Sequence, residues 1–439
     1  MTLRTGAAYA AASQVIAAAG IAFTNIVVAR SLGPAGTGQF NVLVTLILFA
    51  TVFVPLGLDF GIPYFVGGRQ WSARAAMRRT QLLAAGTSLA TVAMLGAVST
   101  TVAGSIHGDL GSGTVFLALA SIPFAVSWTL LAAVALAVGD YRAFALAPVG
   151  QAVGMSALAT TGAVAFGISG AAAGLTIANA CAAGFTWRRL RASPAVGREE
   201  GSGGWQIVMR AVRYGFPVSI SNGLGVATRR ADLLIVSAVV GATQAGPYAI
   251  ALAISSMQIM LPRGLATVLL PRVARDAPAR SRSSDVFARS SRHAVIVSCG
   301  TGVAVAAAAP LIPLVYGPGF QPAVELALIL VPGAVAYGIA AVLTAGLIGL
   351  GRSAFPLISA LAIGPPTIVA YVVGAEAFGA TGAAVASSLS YTATGLIAAG
   401  YSLHVGGISA IDMFVPRRED WAAYRHLLGA ASRLVSRRA

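Results

Sequence analysis

The sequence predicts an all-α polytopic membrane protein of about twelve transmembrane helices, arranged as two six-helix lobes related by a parallel internal repeat. Three observations carry that prediction. Of the 439 residues 57% are hydrophobic and only 10% charged, with a mean hydropathy of +0.82, so the chain lacks the polar surface a soluble domain requires. Apolar stretches long enough to cross a bilayer recur along it, and landmarks of the first half return in the second.

One crossing takes about 20 apolar residues. Segments of that kind fall at 6–29, 39–66, 80–104, 114–138, 142–166, 169–187, 214–240, 246–271, 293–316, 323–350, 353–377 and 379–404. The first is longer than the apolar core of a cleavable signal and reads as a retained helix. Arginine tests the count independently. The chain has no lysine, so all 29 basic residues are arginine, and every second loop is basic. Arg69, Arg74, Arg78 and Arg79 come first, then Arg142, then Arg188, Arg189, Arg191 and Arg198 with Arg210 and Arg213. Arg272, Arg275, Arg280, Arg282, Arg289 and Arg292 follow, then Arg352. The loops between them, HGDLGSG, GISG, GATQAG, YGPGFQP and FGATG, carry none. Short cytoplasmic loops retain positive charge, so both termini are expected in the cytoplasm. The formal charge of +16 is thereby a topology signal, which argues against a nucleic-acid partner. Cys181 and Cys299 lie inside spans without CxxC spacing and read as isolated buried thiols.

The halves repeat with a slowly drifting offset. Gly33, Gly38 and Phe40 correspond to Gly241, Gly246 and Tyr248 at a shift of 208, and Pro55 and Gly57 to Pro262 and Gly264 at 207. Pro123 returns as Pro332 at 209, Gly139 and Arg142 as Gly349 and Arg352 at 210, and the FGxxGAA from Phe166 as that from Phe378 at 212. Six spans per copy is an even number, so both copies share one orientation. The expected division is an N-lobe at 1–190, a cytoplasmic linker at 191–208, a C-lobe at 209–405 and a basic tail at 406–439. In the tail, Trp421, Tyr424, Leu427, Leu428 and Leu434 share one helical face opposite arginines, a pattern that suits anionic inner-leaflet lipids. RQWSARAAMRR reads as a shorter version of it.

Four arginines fall outside the topology pattern: Arg30, Arg229, Arg230 and Arg263. A charge near the bilayer centre costs about 2.5–3.5 kcal/mol on insertion scales, so each is a candidate functional residue. Asp59 and Asp232 are the acids at similar depth. Arg229 and Asp232 are i, i+3 and could form a self-neutralising pair. Arg230 has no acid at i±3 or i±4, and faces a polar cavity, a carboxylate of another helix or an anion. Arg263 follows Pro262, and either enters the cavity or snorkels to the surface. By the repeat, Arg229, Arg230 and Asp232 correspond to Ile21, Ala22 and Thr24, and Arg263 to Leu56, so the fold does not need these charges. Gln14, Asn25 and Asn222 complete the polar lining. Such a cationic cavity suits a phosphate or pyrophosphate, which arginine binds through paired donors. No HExxH, GxSxG, phosphate loop or metal-ligand cluster occurs, and His107, His293, His404 and His426 are scattered. The expectation is no enzyme, no cofactor and no metal.

Several strings then take on a family look. VARSLGPAGTGQFNV, YGFPVSISNGL, RRADLLIVSAVVGATQAGPYAIA, LPRGLATVLLPRVARD, LVYGPGFQPA and LTAGLIGLGRSAFPLISA with FGATGAAVASSLSY occur in that order from about residue 4 to 405. In this the chain resembles the polysaccharide flippases of the multidrug/oligosaccharidyl-lipid/polysaccharide exporter superfamily. The resemblance implies a V-shaped inter-lobe cavity lined by helices 1, 2, 7 and 8, and alternating access that moves an undecaprenyl-pyrophosphate-linked glycan from the inner to the outer leaflet of a bacterial cytoplasmic membrane. It implies Arg30, Arg229, Arg230 and Arg263 as its cationic residues, with glycan polymerase or export machinery as possible partners. The related lipid II flippases look like fourteen-helix proteins, and the extra pair has no counterpart here. Two other readings stand beside this one. A cation-coupled drug or metabolite exporter would usually carry an acid in helix 1, and none lies between Thr5 and Val28. A subunit of a glycan-assembly complex without transport would not need the inter-lobe arginines. Asp59 and Asp232 are the deep carboxylates able to couple a proton or sodium.

Overall fold

The computed structural model describes residues 3–101, 111–196, 204–276, 280–352, 354–406 and 409–421. Among them all regular structure is helical. In chain order the helices are α1 (Leu3–Phe53), α2 (Leu58–Gly67), α3 (Ala73–Thr101), α4 (Ser112–Leu119), α5 (Ser121–Ala137), α6 (Tyr141–Gly154) and α7 (Thr160–Ala192). Then come α8 (Trp205–Val239), α9 (Ala242–Asp276), α10 (Arg280–Ala308), α11 (Ile312–Tyr316), α12 (Pro322–Gly349), α13 (Phe355–Gly406) and α14 (Ala410–Phe414).

Among the described residues seven stretches are long and apolar enough to span a membrane, and three of them, Val15–Phe53, Tyr141–Ala192 and Phe355–Val405, run to 39, 52 and 51 residues. That is twice what one crossing takes. Each contains one glycine in the left-handed region: Gly33 (φ 66°), Gly167 (φ 64°) and Gly379 (φ 63°). A side chain is strained there, whereas glycine turns the chain without cost in sterics. The limbs on either side fold back together. A methyl group on Gly162 would lie 2.1 Å from the Gly170 carbonyl oxygen, and one on Gly382 would lie 2.0 Å from that of Gly374. Across the first hinge, Asn41 donates to the Asn25 side-chain oxygen at 3.2 Å. Counting these stretches as hairpins makes ten crossings, and α3 and α8, whose arginines dilute their apolar runs, make twelve among the described residues.

The backbone sharpens one turn and corrects three details of the sequence reading. The turn at ARSLGPAGTGQF centres on Gly33, whose non-helical backbone (φ 66°, ψ −170°) separates the two limbs of α1. RQWSARAAMRR is no surface helix: Trp71 is 2% exposed and joins Ala75, Ala76 and Met77 in the protein core, because α3 begins at Ala73 and carries Arg74, Arg78 and Arg79 on its first turns. Cys181 and Cys299 are exposed on their helices rather than buried. The register of the fourth landmark shifts by two. Gly139 (φ 75°) and Gly351 (φ 84°) both end a helix with the same pair of closing hydrogen bonds, Asp140 N–H to the Ala135 carbonyl and Arg352 N–H to that of Leu347, each 2.9 Å. Gly139 is therefore matched by Gly351, at the same offset of 212 as Gly167 and Gly379.

The helices pack as two compact units. The first comprises residues 1–250, 312–323 and 368–383; the second comprises 251–311, 324–367 and 384–439. Leu58, Ile62, Trp71, Ile122, Leu130 and Leu131 lie in the core of the first. Phe287, Val342, Leu343, Leu347 and Met413 form that of the second. In the second unit the segment after α14 is clamped to α10. Arg292 donates from Nε to Asp420 at 2.6 Å, from Nη2 to the same carboxylate at 3.2 Å, and from Nη1 to the Asp412 carbonyl at 2.8 Å. Trp421, the first of the predicted amphipathic tail residues, is exposed, and the others lie outside the described residues.

Candidate functional site

Helix α8 organises the charged candidates of the first unit. Its first half lies against α1 and α2 so closely that backbone meets backbone. A methyl group on Gly215 would sit 1.9 Å from the Gly57 carbonyl oxygen, and one on Gly61 would sit 2.4 Å from that of Ala211. Leu56 (φ 53°) and Gly57 (φ 86°) break the chain between α1 and α2 to bring it there. Tyr64 and Tyr214 stack at 4.3 Å across the same junction, and Ser219 donates to the Val52 carbonyl at 3.1 Å. Higher up, Phe53 occupies the space beside Gly223, 2.4 Å from where a methyl group would stand.

Beyond the hinge that follows α8, the contact closes again. A methyl group on Gly38 would lie 2.2 Å from the Ala242 carbonyl oxygen, and one on Gly246 would lie 2.0 Å from that of Pro34. Nearby, Arg30 is exposed and donates from Nε to the Val315 carbonyl at 2.8 Å and from Nη2 to that of Leu314 at 2.7 Å, capping the end of α11. Arg30 is thus engaged with backbone, as a cation at a helix C-terminus favours.

Arg229 and Arg230 lie on α8 between these two closures, both half-buried. Arg229 Nη1 folds back to within 3.2 Å of the Cβ position of Gly225, so the glycine makes room for the guanidinium. Tyr371 donates to the Thr228 carbonyl at 2.7 Å in the same stretch. Asp232 is 0% exposed and accepts from the Tyr248 hydroxyl at 2.7 Å and from the Leu233 N–H at 2.8 Å. Asn25 is buried and Asn222 exposed, whereas the Gln14 side chain lies outside the described ones. Asp59, half-buried in the first turn of α2, keeps Oδ1 buried without a hydrogen-bond partner among the described residues. Arg263 belongs to the second unit, with its guanidinium 5.7 Å above the Tyr337 ring. The structure thus places Arg229, Arg230, Asp232 and Asn222 on α8, Asn25 and Arg30 on α1 and Asp59 on α2, while Arg263 lies on α9.

Sequence reasoning missed Tyr214, Tyr371, the Asp232–Tyr248 bond and the paired glycines. One signal was available: Thr24 and Phe40 of the first copy become Asp232 and Tyr248 in the second, a joint change to a hydrogen-bonding pair.

The family described as "Polysaccharide biosynthesis protein" matches residues 27–325, more than half of the chain. The chain belongs to that family. Every charged candidate, from Arg30 to Arg263, falls inside the matched stretch. This member of the polysaccharide biosynthesis family shares its fold with solved structures of MOP superfamily transporters. An inward-facing multidrug resistance MATE family transporter is 13% identical with a TM-score of 0.77, covering 89% of this chain and 94% of its own. The lipid II flippase MurJ, in an inward closed conformation, is 13% identical with a TM-score of 0.75, covering 98% and 97%. A MOP superfamily transporter from Pyrococcus furiosus is 13% identical with a TM-score of 0.67, covering 92% and 95%. No curated protein matches the chain.

Proposed function

We propose that this protein is a flippase that moves an undecaprenyl-pyrophosphate-linked oligosaccharide from the inner to the outer leaflet of a bacterial cytoplasmic membrane, with both termini in the cytoplasm. The observation that carries the reading is the pair Arg229 and Arg230, held half-buried on α8 between two closures made of backbone contacts. Permanent cations in that position offer paired donors to a pyrophosphate, while the polyprenyl tail stays in lipid. The head group enters when the Gly57–Gly215 closure parts and leaves when the Gly38–Gly246 closure parts. The two lobes, 1–190 and 209–405, are the bodies whose rocking opens one and shuts the other. Arg30 stands at the outer closure, where release of the Leu314 and Val315 carbonyls frees it to meet the leaving pyrophosphate. Asp59, with its buried Oδ1, and Asp232 are the carboxylates available to couple transport to a cation.

The fold shared with the MATE transporter favours a second reading, a cation-coupled drug or metabolite exporter. A strain lacking the protein separates the two. Under the flippase reading it accumulates an inner-leaflet lipid-linked oligosaccharide identifiable by mass, wild-type protein clears it, and Arg230→Ala clears at least tenfold less while inserting normally. A strain that accumulates no such lipid but loses resistance to exported compounds would replace the flippase with the exporter.

A further inference from the structure

Away from α8, the first unit carries a second cationic site. A cavity of about 500 Å³ lies where the start of α3, the end of α7 and the short turn Pro194–Val196 meet. Arg74 and Arg78 line it from α3, Arg191 and Trp187 from α7, and Val196 from the turn. Each helix contributes residues at i and i+4, which project from one face. Among the described residues the lining contains three arginines and no carboxylate. Guanidinium groups keep their charge at any physiological pH, and grouping three of them around one cavity is favoured when an anion sits among them. Planar paired donors fit a phosphate best.

What distinguishes this cavity from a plain anion site is its remaining wall. Leu82 also lines it and is 65% exposed, and Leu89, two turns further along the same face of α3, is 63% exposed. An apolar strip thus runs from the arginines along the membrane-spanning part of the helix, and Trp187, an amphipathic ring suited to the headgroup level, flanks the charged end. Phosphate donors at one end and an exposed apolar track leading away from them match a phospholipid. A free phosphate would use only the first.

We propose that this cavity binds the phosphate of one anionic phospholipid, with an acyl chain laid along Leu82 and Leu89. It is a site distinct from the transport residues on α8, and does not depend on the flippase reading. Basic pockets between transmembrane helices recognise such headgroups.

The test uses the purified full chain in detergent, titrated with phosphatidylglycerol and followed by native mass spectrometry. Wild type binds one phosphatidylglycerol that the pair Arg74→Gln and Arg191→Gln binds about tenfold more weakly, as losing a charge-assisted phosphate contact predicts. Phosphatidylcholine binding is the same for both. Leu82→Asn, which leaves the arginines in place, also weakens phosphatidylglycerol binding, and Arg74→Lys with Arg191→Lys retains part of it; these two variants carry the test if the glutamine pair fails to fold. Equal phosphatidylglycerol affinity in wild type and all variants overturns the proposal. Displacement of the lipid by millimolar inorganic phosphate, together with no effect of Leu82→Asn, assigns the cavity to a free anion and overturns it as well.

Discussion

The two copies of the repeat share their hinges and differ in their charges. Gly33 and Gly241, Gly139 and Gly351, and Gly167 and Gly379 all take positive φ at matching places, so the turns are fixed by backbone need. At the second helix the copies diverge. Pro55, Leu56 and Gly57 break the chain between α1 and α2, whereas α9 runs unbroken through Pro262, Arg263 and Gly264. The break lets Gly57 meet Gly215; the unbroken helix presents Arg263. Thr24 bonds to its own helix at the Gly20 carbonyl (2.9 Å), while its counterpart Asp232 is tied to Tyr248. The lesson is that repetition built the scaffold, and departures from repetition mark the functional candidates.

The largest contrast concerns ion pairs at the arginine-rich face. In the first copy Arg189 approaches Asp140 at 3.9 Å, with 38% and 17% side-chain exposure; beside the second copy Arg292 of α10 and Asp420 of the tail meet at 2.6 Å with 6% and 0%. Asp420→Ala should cost about 3 kcal/mol, the low end for breaking a buried pair because Glu419, 3.9 Å away, still answers Arg292. Asp140→Ala should cost about 1 kcal/mol, mostly the lost helix cap to Ala143 N–H at 3.0 Å. Thermal unfolding in detergent measures both, and equal losses would erase the contrast. Burial pushes the Asp420 carboxyl up, but hydrogen bonds from Arg292 and the Arg417 amide, with the charges of Arg292 and His293, hold it below the ordinary carboxylate range. A depressed folded value means its stabilisation is complete above the ordinary value of about 4 and lost as pH falls through the lower one. Wild type should therefore shed more stability than Asp420→Ala on acidification below that point.

A smaller effect separates glycines that share a repeat pattern yet differ in surroundings. Gly246→Leu forces a side chain into the Pro34 carbonyl and should cost about 1–3 kcal/mol. A methyl group on Gly264 would meet nothing within 4 Å, so Gly264→Ala should be close to neutral by the same unfolding assay. A neutral Gly246→Leu would show that the Gly38–Gly246 contact is not a tight closure.

The subtlest test converts one copy toward the other. Tyr248→Phe leaves the buried Asp232 short of a donor and should cost about 1–3 kcal/mol. Adding Asp232→Thr restores the first copy's pairing, so the double variant should be more stable than the two single losses predict, by about 0.5–3 kcal/mol. Strict additivity would show that the joint change between copies carries no coupling.

These cases show how far the sequence reaches. Twelve crossings, the hinges and the arginine-bearing loops follow from composition and spacing, because membrane span length and loop charge are local properties. Local spacing still misplaced the partner of Gly139 by two residues, since only the closing hydrogen bonds of the helix reveal which glycine ends it. The Asp232–Tyr248 bond lay half visible in the repeat. The glycine closures were not visible at all: Gly57 and Gly215 stand 158 residues apart, and nothing in either neighbourhood names the other.

By itself the sequence determined that this is a multi-pass helical membrane protein built by duplication, and which arginines the duplication leaves unexplained. Only the tertiary structure decided that Arg30 caps a helix, that Arg229 and Arg230 lie between two backbone closures, and that Arg74, Arg78 and Arg191 share one cavity. The physical reason is range. Hydrophobic length and charge bias are written along the chain, whereas van der Waals exclusion and hydrogen bonding act between residues that folding alone brings together.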